Sequence, residues 1–405
     1  MLKKVRTTFT QFELQLWILF AGWIISSMGF AMVVPFVSIY FHLELGVPMS
    51  VVGTFFLVTA VVRAFSQMLA GNLSDSIGRK KIMVFAQLFR GLIFFGVAFS
   101  IANSWGFWPT ALILVSGYLL ASFFQPVANA MVADIVPADK RPEAYGFLKI
   151  AANIGWGIGP AAGGFLAKNS YASLFWVAGA LALLSGITIM LFIRESHIHR
   201  ETLQRTHFLP ANLFRVFSDT RFLQYCFVSL MMFLTMAQLI ATLSVYARDT
   251  VGLTNPELGW VYSANAFIVV FFQLLVSKAI RGRNLLQVLM VGSFLYSVGY
   301  SLMAIPDSLT GILVLIGLIT LAEMMVGPAA TSMVAKIAPD NKNGQYMGAF
   351  GLFGTLGWSL GPFIGGLLLD FAPTAILLWL GVSLFGLLGA GGYFWLNRKY
   401  PELRH

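Results

Sequence analysis

The sequence predicts an all-α membrane protein: twelve transmembrane helices in two pseudo-symmetric six-helix bundles, with both termini in the cytoplasm. Three observations carry this. Of the 405 residues 58% are hydrophobic and only 10% charged, which is more apolar surface than an aqueous fold can hide. Apolar runs of about 20 residues, the length that crosses a bilayer as helix, recur along the whole chain. A ten-residue stretch, Gly155 to Gly164, returns at a fixed interval as Gly357 to Gly366. The same interval relates Gly146 to Gly348, Pro137 to Pro339, Met131 to Met333 and Pro126 to Pro328, so the halves are built alike. Parallel repeats of this size in a membrane chain place a binding site where two bundles meet.

The runs fall near 14–40, 50–72, 81–102, 108–134, 144–167 and 171–193 in the first half. In the second half they fall near 223–247, 257–280, 285–305, 309–336, 344–369 and 373–397. The first is too long for a signal-peptide core and lacks a cleavage site, so it is expected to remain as a helix. The domains are accordingly 1–193, a cytoplasmic linker 194–222, and 223–405. Within the linker, Leu213, Phe214, Val216 and Phe217 among basic residues suggest a short interfacial helix. Orientation follows from the basic residues. Lys3, Arg79, Lys80, Lys81, Arg141, Arg194, Lys278, Arg281, Lys336 and Arg398 fall on one side, and Lys168 and Arg248 on the other. The net charge of +10 is therefore a topology signal and an attraction to anionic lipid, and no nucleic-acid partner is expected. Cys226 stands alone and reads as packing.

Between the second and third runs lies Gly71-Asn72-Leu73-Ser74-Asp75-Ser76-Ile77-Gly78-Arg79-Lys80-Lys81. Two helices must reverse here in a few residues, which explains Gly78, and an acid four positions before a base can form a charge pair. Gly155, Gly159, Gly163 and Gly164 with Pro160, and Gly357, Gly361, Gly365 and Gly366 with Pro362, leave one helix face nearly bare backbone. A neighbouring helix can approach such a face closely. The turn resembles the signature loop of the major facilitator superfamily, and the glycine-proline stretch resembles the antiporter motif of its drug/proton antiporter branch. The resemblance implies that fold. It also implies that Asp75 caps the helix starting near Gly344 and that Arg79 pairs with Asp134, latching the outward-open state. The corresponding second-half turn, Ser277 to Arg283, keeps its charge but has no acid. Ser116 stands where the branch carries an arginine, and the first helix has no acid.

Charge is costly inside a bilayer, so ionisable residues at depth are functional candidates. Glu323 is the one carboxylate near the centre of a span, and at the repeat interval stands Ala121. A carboxylate away from water can take up and release a proton during a cycle, so Glu323 is the expected proton-coupling residue. The expected substrate cavity is lined by Arg63, Arg90, Phe124, Gln125, Asn129, Lys149, Asn153, Gln238, Asn265 and Glu323. Aromatic walls with a few amides suit amphipathic organic molecules. The expected function is proton-coupled efflux of such compounds by a monomer in the cell membrane, with a small-molecule substrate, protons and lipids as partners. No cofactor and no metal is expected, the proton gradient being the energy source. A rival is transport of an organic anion, peptide-like compound or lipid held by Arg63, and a further one is a non-transporting sensor. No nucleophile–base set or paired acids at depth suggest an enzyme.

Overall fold

The computed structural model describes residues 13–137, 140–196, 216–339 and 342–403. Among them every regular element is helical. The first half contains α1 (Leu14–Ile39), α2 (Met49–Ile77), α3 (Arg79–Ala102), α4 (Phe107–Ile135), α5 (Arg141–Ala167) and α6 (Tyr171–Phe192). The second contains α7 (Thr220–Met236), α8 (Thr242–Asp249), α9 (Asn255–Ile280), α10 (Leu285–Ser301), α11 (Leu309–Ile337), α12 (Asn343–Phe371) and α13 (Ala375–Lys399). α7 and α8 form one broken span, and among the described residues eleven spans are long and apolar enough to cross a membrane. α5 is 27 residues long, but Lys149, Asn153, Trp156 and Pro160 make it less apolar than its neighbours. Of the linker helix expected at 213–217, most lies outside the described residues; Val216 at its edge is buried.

Helix ends are fixed by local chemistry. Ser170, Asp219, Asn284 and Thr374 accept backbone N–H groups at the starts of α6, α7, α10 and α13, satisfying donors that a helix leaves orphaned in its first turn. The break between α7 and α8 is closed by Gln238. Its amide donates to the carbonyls of Leu234 and Gly361, both at 2.9 Å, and its oxygen accepts from Thr242 at 2.5 Å. The Leu234 carbonyl beside the break thus gains a side-chain donor, and the same amide ties the break to α12.

The chain divides into two compact units. One comprises 1–40, 58–202 and 254–266, and the other 41–57, 203–253 and 267–405. Hence the first turns of α2 belong with the second unit, and the first turns of α9 with the first. In the first unit Leu16, Leu19, Met83, Val127, Met131 and Ile189 build a core between α1, α3, α4 and α6. Small residues bring the helices within it close: a Cβ on Gly91 would sit 2.9 Å from the Gly179 carbonyl. Large apolar side chains such as Trp108, Leu112, Ile376 and Leu384 remain exposed on the helix surfaces, as expected where lipid replaces water.

Candidate functional site

The α2–α3 turn is organised around Arg79. Its Nη1 lies 2.5 Å from Asp75 and donates to Ser74, while its Nε lies 3.3 Å from Asp134 at the end of α4. Arg79 is only 12% exposed, whereas Asp75 is 61% exposed. Gly78 has φ 117°, a backbone region that residues with a Cβ rarely enter. A Cβ there would also fall 2.8 Å from the carboxyl carbon of Glu195, whose Oε1 accepts the Lys80 N–H at 3.2 Å. Gly71 lies inside α2. Gly78→Ala is expected to cost about 1–3 kcal/mol through this strain, read as a lower melting temperature of the purified protein.

The glycine faces meet backbone. Gly155, Gly159 and Gly163 lie against α1 at Ser27, Met28 and Met32, and Gly164 lies against the start of α9 at Asn255 and Pro256. The repeat glycines are packed as closely, three of them first against side chains: Gly357, Gly361 and Gly365 lie against Phe233, Ala237 and Thr242, and Gly366 against the backbone of Met49 at the start of α2. Two further glycines complete the pattern. Gly53 lies against Pro362 and Phe363, and Gly259 against Pro160 and Ala161. The fifth residues of α2 and α9 thus play equivalent parts, a correspondence visible in sequence only once the two helix starts are aligned.

In the first unit Trp23 of α1, Gln125 and Asn129 of α4, and Tyr145, Leu148, Lys149 and Ala152 of α5 line one side of an open cavity of about 580 Å³. The volume suits a drug-sized molecule. Trp23 is set by an edge contact with Phe124 at 5.4 Å between ring centroids, and Tyr145 donates to the Asn129 carbonyl at 3.3 Å. Lys149 is the one charged side chain of this wall. Trp23 and Tyr145 were not anticipated as lining, because isolated aromatics in apolar helices carry no directional signal.

Three residues expected in a cavity are instead enclosed within their own unit. Arg90 is 3% exposed, donates to Ser26 at 3.1 Å and lies over the Phe94 ring at 5.8 Å. Gln238 is fully buried and spent on the α7–α8 break. Phe124 is 4% exposed beneath Trp23. The depth of these residues was readable but the neighbour each turns to was not, since that is set by tertiary packing. Asn153 and Asn265 are partly buried, in the first unit, and Arg63 is exposed on α2 near the Tyr118 hydroxyl.

In the second unit Glu323 is partly buried midway along α11. The phenol of Tyr296 on α10 lies within its electrostatic reach. The two helices pack closely there, since Gly292 faces Val326 and Gly299 faces Ile319. Gln273 of α9 donates at 3.0 Å to the carbonyl of Met324, the residue after Glu323. The acid thus lies beside α10, with Gln273 of α9 bonded to the next residue's backbone.

The profile of the Major Facilitator Superfamily matches residues 19–362 and 226–405. The chain is 25% identical over 377 residues to the quinolone resistance protein NorA of Staphylococcus aureus (strain MSSA476), covering 92% of this chain and 95% of that protein. It is 26% identical over 365 residues to multidrug resistance protein 1 of Bacillus subtilis (strain 168), covering 88% and 90%. Among solved structures, a bacterial homologue of the human lysosomal transporter Spinster in an inward-facing, occupied conformation superposes with a TM-score of 0.77 at 14% identity. That match covers 96% of this chain and 97% of the other. A POT family transporter in complex with 5-aminolevulinic acid gives 0.77 at 13% identity, covering 96% of each. A profile match along nearly the whole chain, relatives of equal length and eleven membrane-length helices lead to one conclusion: the chain belongs to the Major Facilitator Superfamily and is a plasma-membrane transporter, not an enzyme.

Proposed function

We propose that this transporter exports amphipathic organic compounds in exchange for protons, by alternating access of a twelve-span fold with both termini in the cytoplasm. The observation that carries the reading is the cavity walled by Trp23, Gln125, Asn129, Tyr145 and Lys149. Two rings supply flat apolar area, and two amides and a cation supply orienting polar contacts. The relatives named for quinolone and multidrug resistance support export as the direction. Coupling is assigned to Glu323. Latching of the outward-open state is assigned to the Asp75–Arg79–Asp134 cluster, and the two-helix glycine faces serve as seals. The transporter works as a monomer without a cofactor, in contact with membrane lipid.

The test is uphill export in proteoliposomes under an imposed pH gradient, with a panel of aromatic compounds, and binding followed by tryptophan fluorescence. Quenching by transported compounds, weakened in Trp23→Phe against the remaining tryptophans, is the expected result. A panel in which no compound moves uphill would overturn the reading. Gln125→Ala with Asn129→Ala is expected to raise KM roughly 5- to 30-fold at unchanged kcat, as two hydrogen bonds of about 0.5–1 kcal/mol each imply. Equal KM values would place the substrate elsewhere.

A second reading, transport of an organic anion, is favoured by Lys149 being the charge in the wall. Competition by a carboxylated aromatic that disappears in Lys149→Gln distinguishes it from recognition of neutral or cationic compounds.

A further inference from the structure

α2 and α12 are each 29 residues long, and each carries an acid in its last turn: Asp75 two residues before Ile77, and Asp370 one residue before Phe371. In the second unit the start of α2 crosses the end of α12. The crossing is bare backbone on both sides. A Cβ at Gly53 would lie 2.7 Å from the Pro362 carbonyl oxygen, and one at Gly366 would lie 3.1 Å from the Ser50 nitrogen. Over this crossing the Asp370 carboxylate accepts two backbone N–H groups, Met49 on Oδ1 at 2.8 Å and Ser50 on Oδ2 at 2.7 Å.

Those amides are the first two of α2 and have no partner inside their own helix. A carboxylate at this end also meets the favourable pole of the helix dipole. The bond therefore combines charge, geometry and a contact that admits no other side chain. The repeat-related crossing is built differently: Lys168 stands at the repeat position of Asp370. There the start of α9 is closed locally by Glu257, which accepts from the Thr254 N–H at 2.8 Å and its hydroxyl at 2.7 Å. α3 likewise meets a distant carboxylate, Glu195, at the Lys80 N–H at 3.2 Å; at α2 both oxygens of Asp370 are used, on the first two amides of the helix. The amino end of α12 takes no side-chain cap at Lys342, and Asp75 is engaged by Arg79.

We propose that Asp370 is the outer-face counterpart of Asp75. Its cap on α2 holds the outer ends of α2 and α12 together in the state described here and is broken when the outer mouth opens. Asp75, assigned above to the amino end of α12, holds the same two helices at their inner ends in the opposite state. In each state one of the two acids caps the other helix, so the pair of helices is a two-position switch whose balance depends on both carboxylates. This extends the latch reading of Asp75, but its test needs neither substrate nor proton gradient, so it fails or succeeds apart from the transport assignment.

The test uses the full chain with Cys226→Ser and Thr54→Cys, Thr54 being exposed near the outer end of α2. A membrane-impermeant maleimide is added to the outside of intact cells. Asp370→Asn is expected to speed labelling roughly fivefold, the scale on which a capping charge biases two conformers. Asp75→Asn is expected to slow it, and the double variant to fall between. Ser50→Pro, tolerated in a helix's first turn, removes one donor while leaving Asp370 ionised, and is expected to act like Asp370→Asn. It also keeps the test open should Asp370→Asn not reach the membrane. Labelling unchanged in both Asp370→Asn and Ser50→Pro, with only the melting temperature lowered, would show a local cap without a switching role and overturn the proposal.

Discussion

Glu323→Gln is expected to abolish uphill export while leaving substrate binding and downhill exchange in place. Glutamine keeps the shape and hydrogen-bonding capacity of a protonated glutamate but cannot release a proton, so it arrests a cycle that needs both forms. The setting suits the role. Glu323 is partly buried in mid-span on α11, with the Tyr296 phenol close by on α10 and Gln273 bonded to the adjacent Met324 carbonyl. Across a gradient of one pH unit each proton supplies about 1.4 kcal/mol, enough for about tenfold accumulation in one-for-one exchange. The variant should bring that ratio to unity. Substrate affinity in the wild type should vary with pH, and in the variant it should not. Retained accumulation in Glu323→Gln would sink the assignment and move coupling to Asp134, Asp75 or a route through Arg63.

Gly159→Leu is expected to block transport and lower stability. An added Cβ meets the Met28 carbonyl at 2.6 Å, the Ala31 Cβ at 3.0 Å and the Met32 nitrogen at 3.0 Å. Two of the three are backbone and none is a flexible tip, so α1 must move off α5, and overpacking of this kind costs about 1–3 kcal/mol or more. Gly361→Leu, against the Ala237 Cβ and the Leu234 carbonyl at 3.3 Å, should behave alike. Gly348→Ala is the control, because nothing lies within 4 Å of its Cβ direction. Transport assays on the three, with melting temperatures, check this. Full activity in both leucine variants would show that these faces need no close contact.

How much of this was legible beforehand varies by scale. The helical spans, the repeat and the turn around Asp75 and Arg79 follow from hydropathy, a fixed interval and glycine chemistry, all of which are local. The facing of polar residues was not legible. Arg90 and Gln238 lie at the depth their sequence positions imply, yet each turns into its own unit, Arg90 onto Ser26 and Gln238 onto the α7–α8 break, partners that tertiary packing sets and the sequence pattern does not state. The Asp370 cap was invisible for another reason. It joins residues 321 and 320 positions apart, and at the repeat interval stands Lys168, so the symmetry that revealed the glycines gave no hint of it.

The exchange of helix starts between the two units bears on how the protein is made. Residues 254–266 belong to the first unit, where Gly259 closes over Pro160 and Asn255 donates to the Ala167 carbonyl at 3.1 Å. A ribosome reaches these residues only after the whole first half has been synthesised and, with domains generally folding as units during synthesis, inserted. A chain stopped before position 254 is therefore expected to lack the contact that α9 makes with Pro160, Gly164 and Ala167.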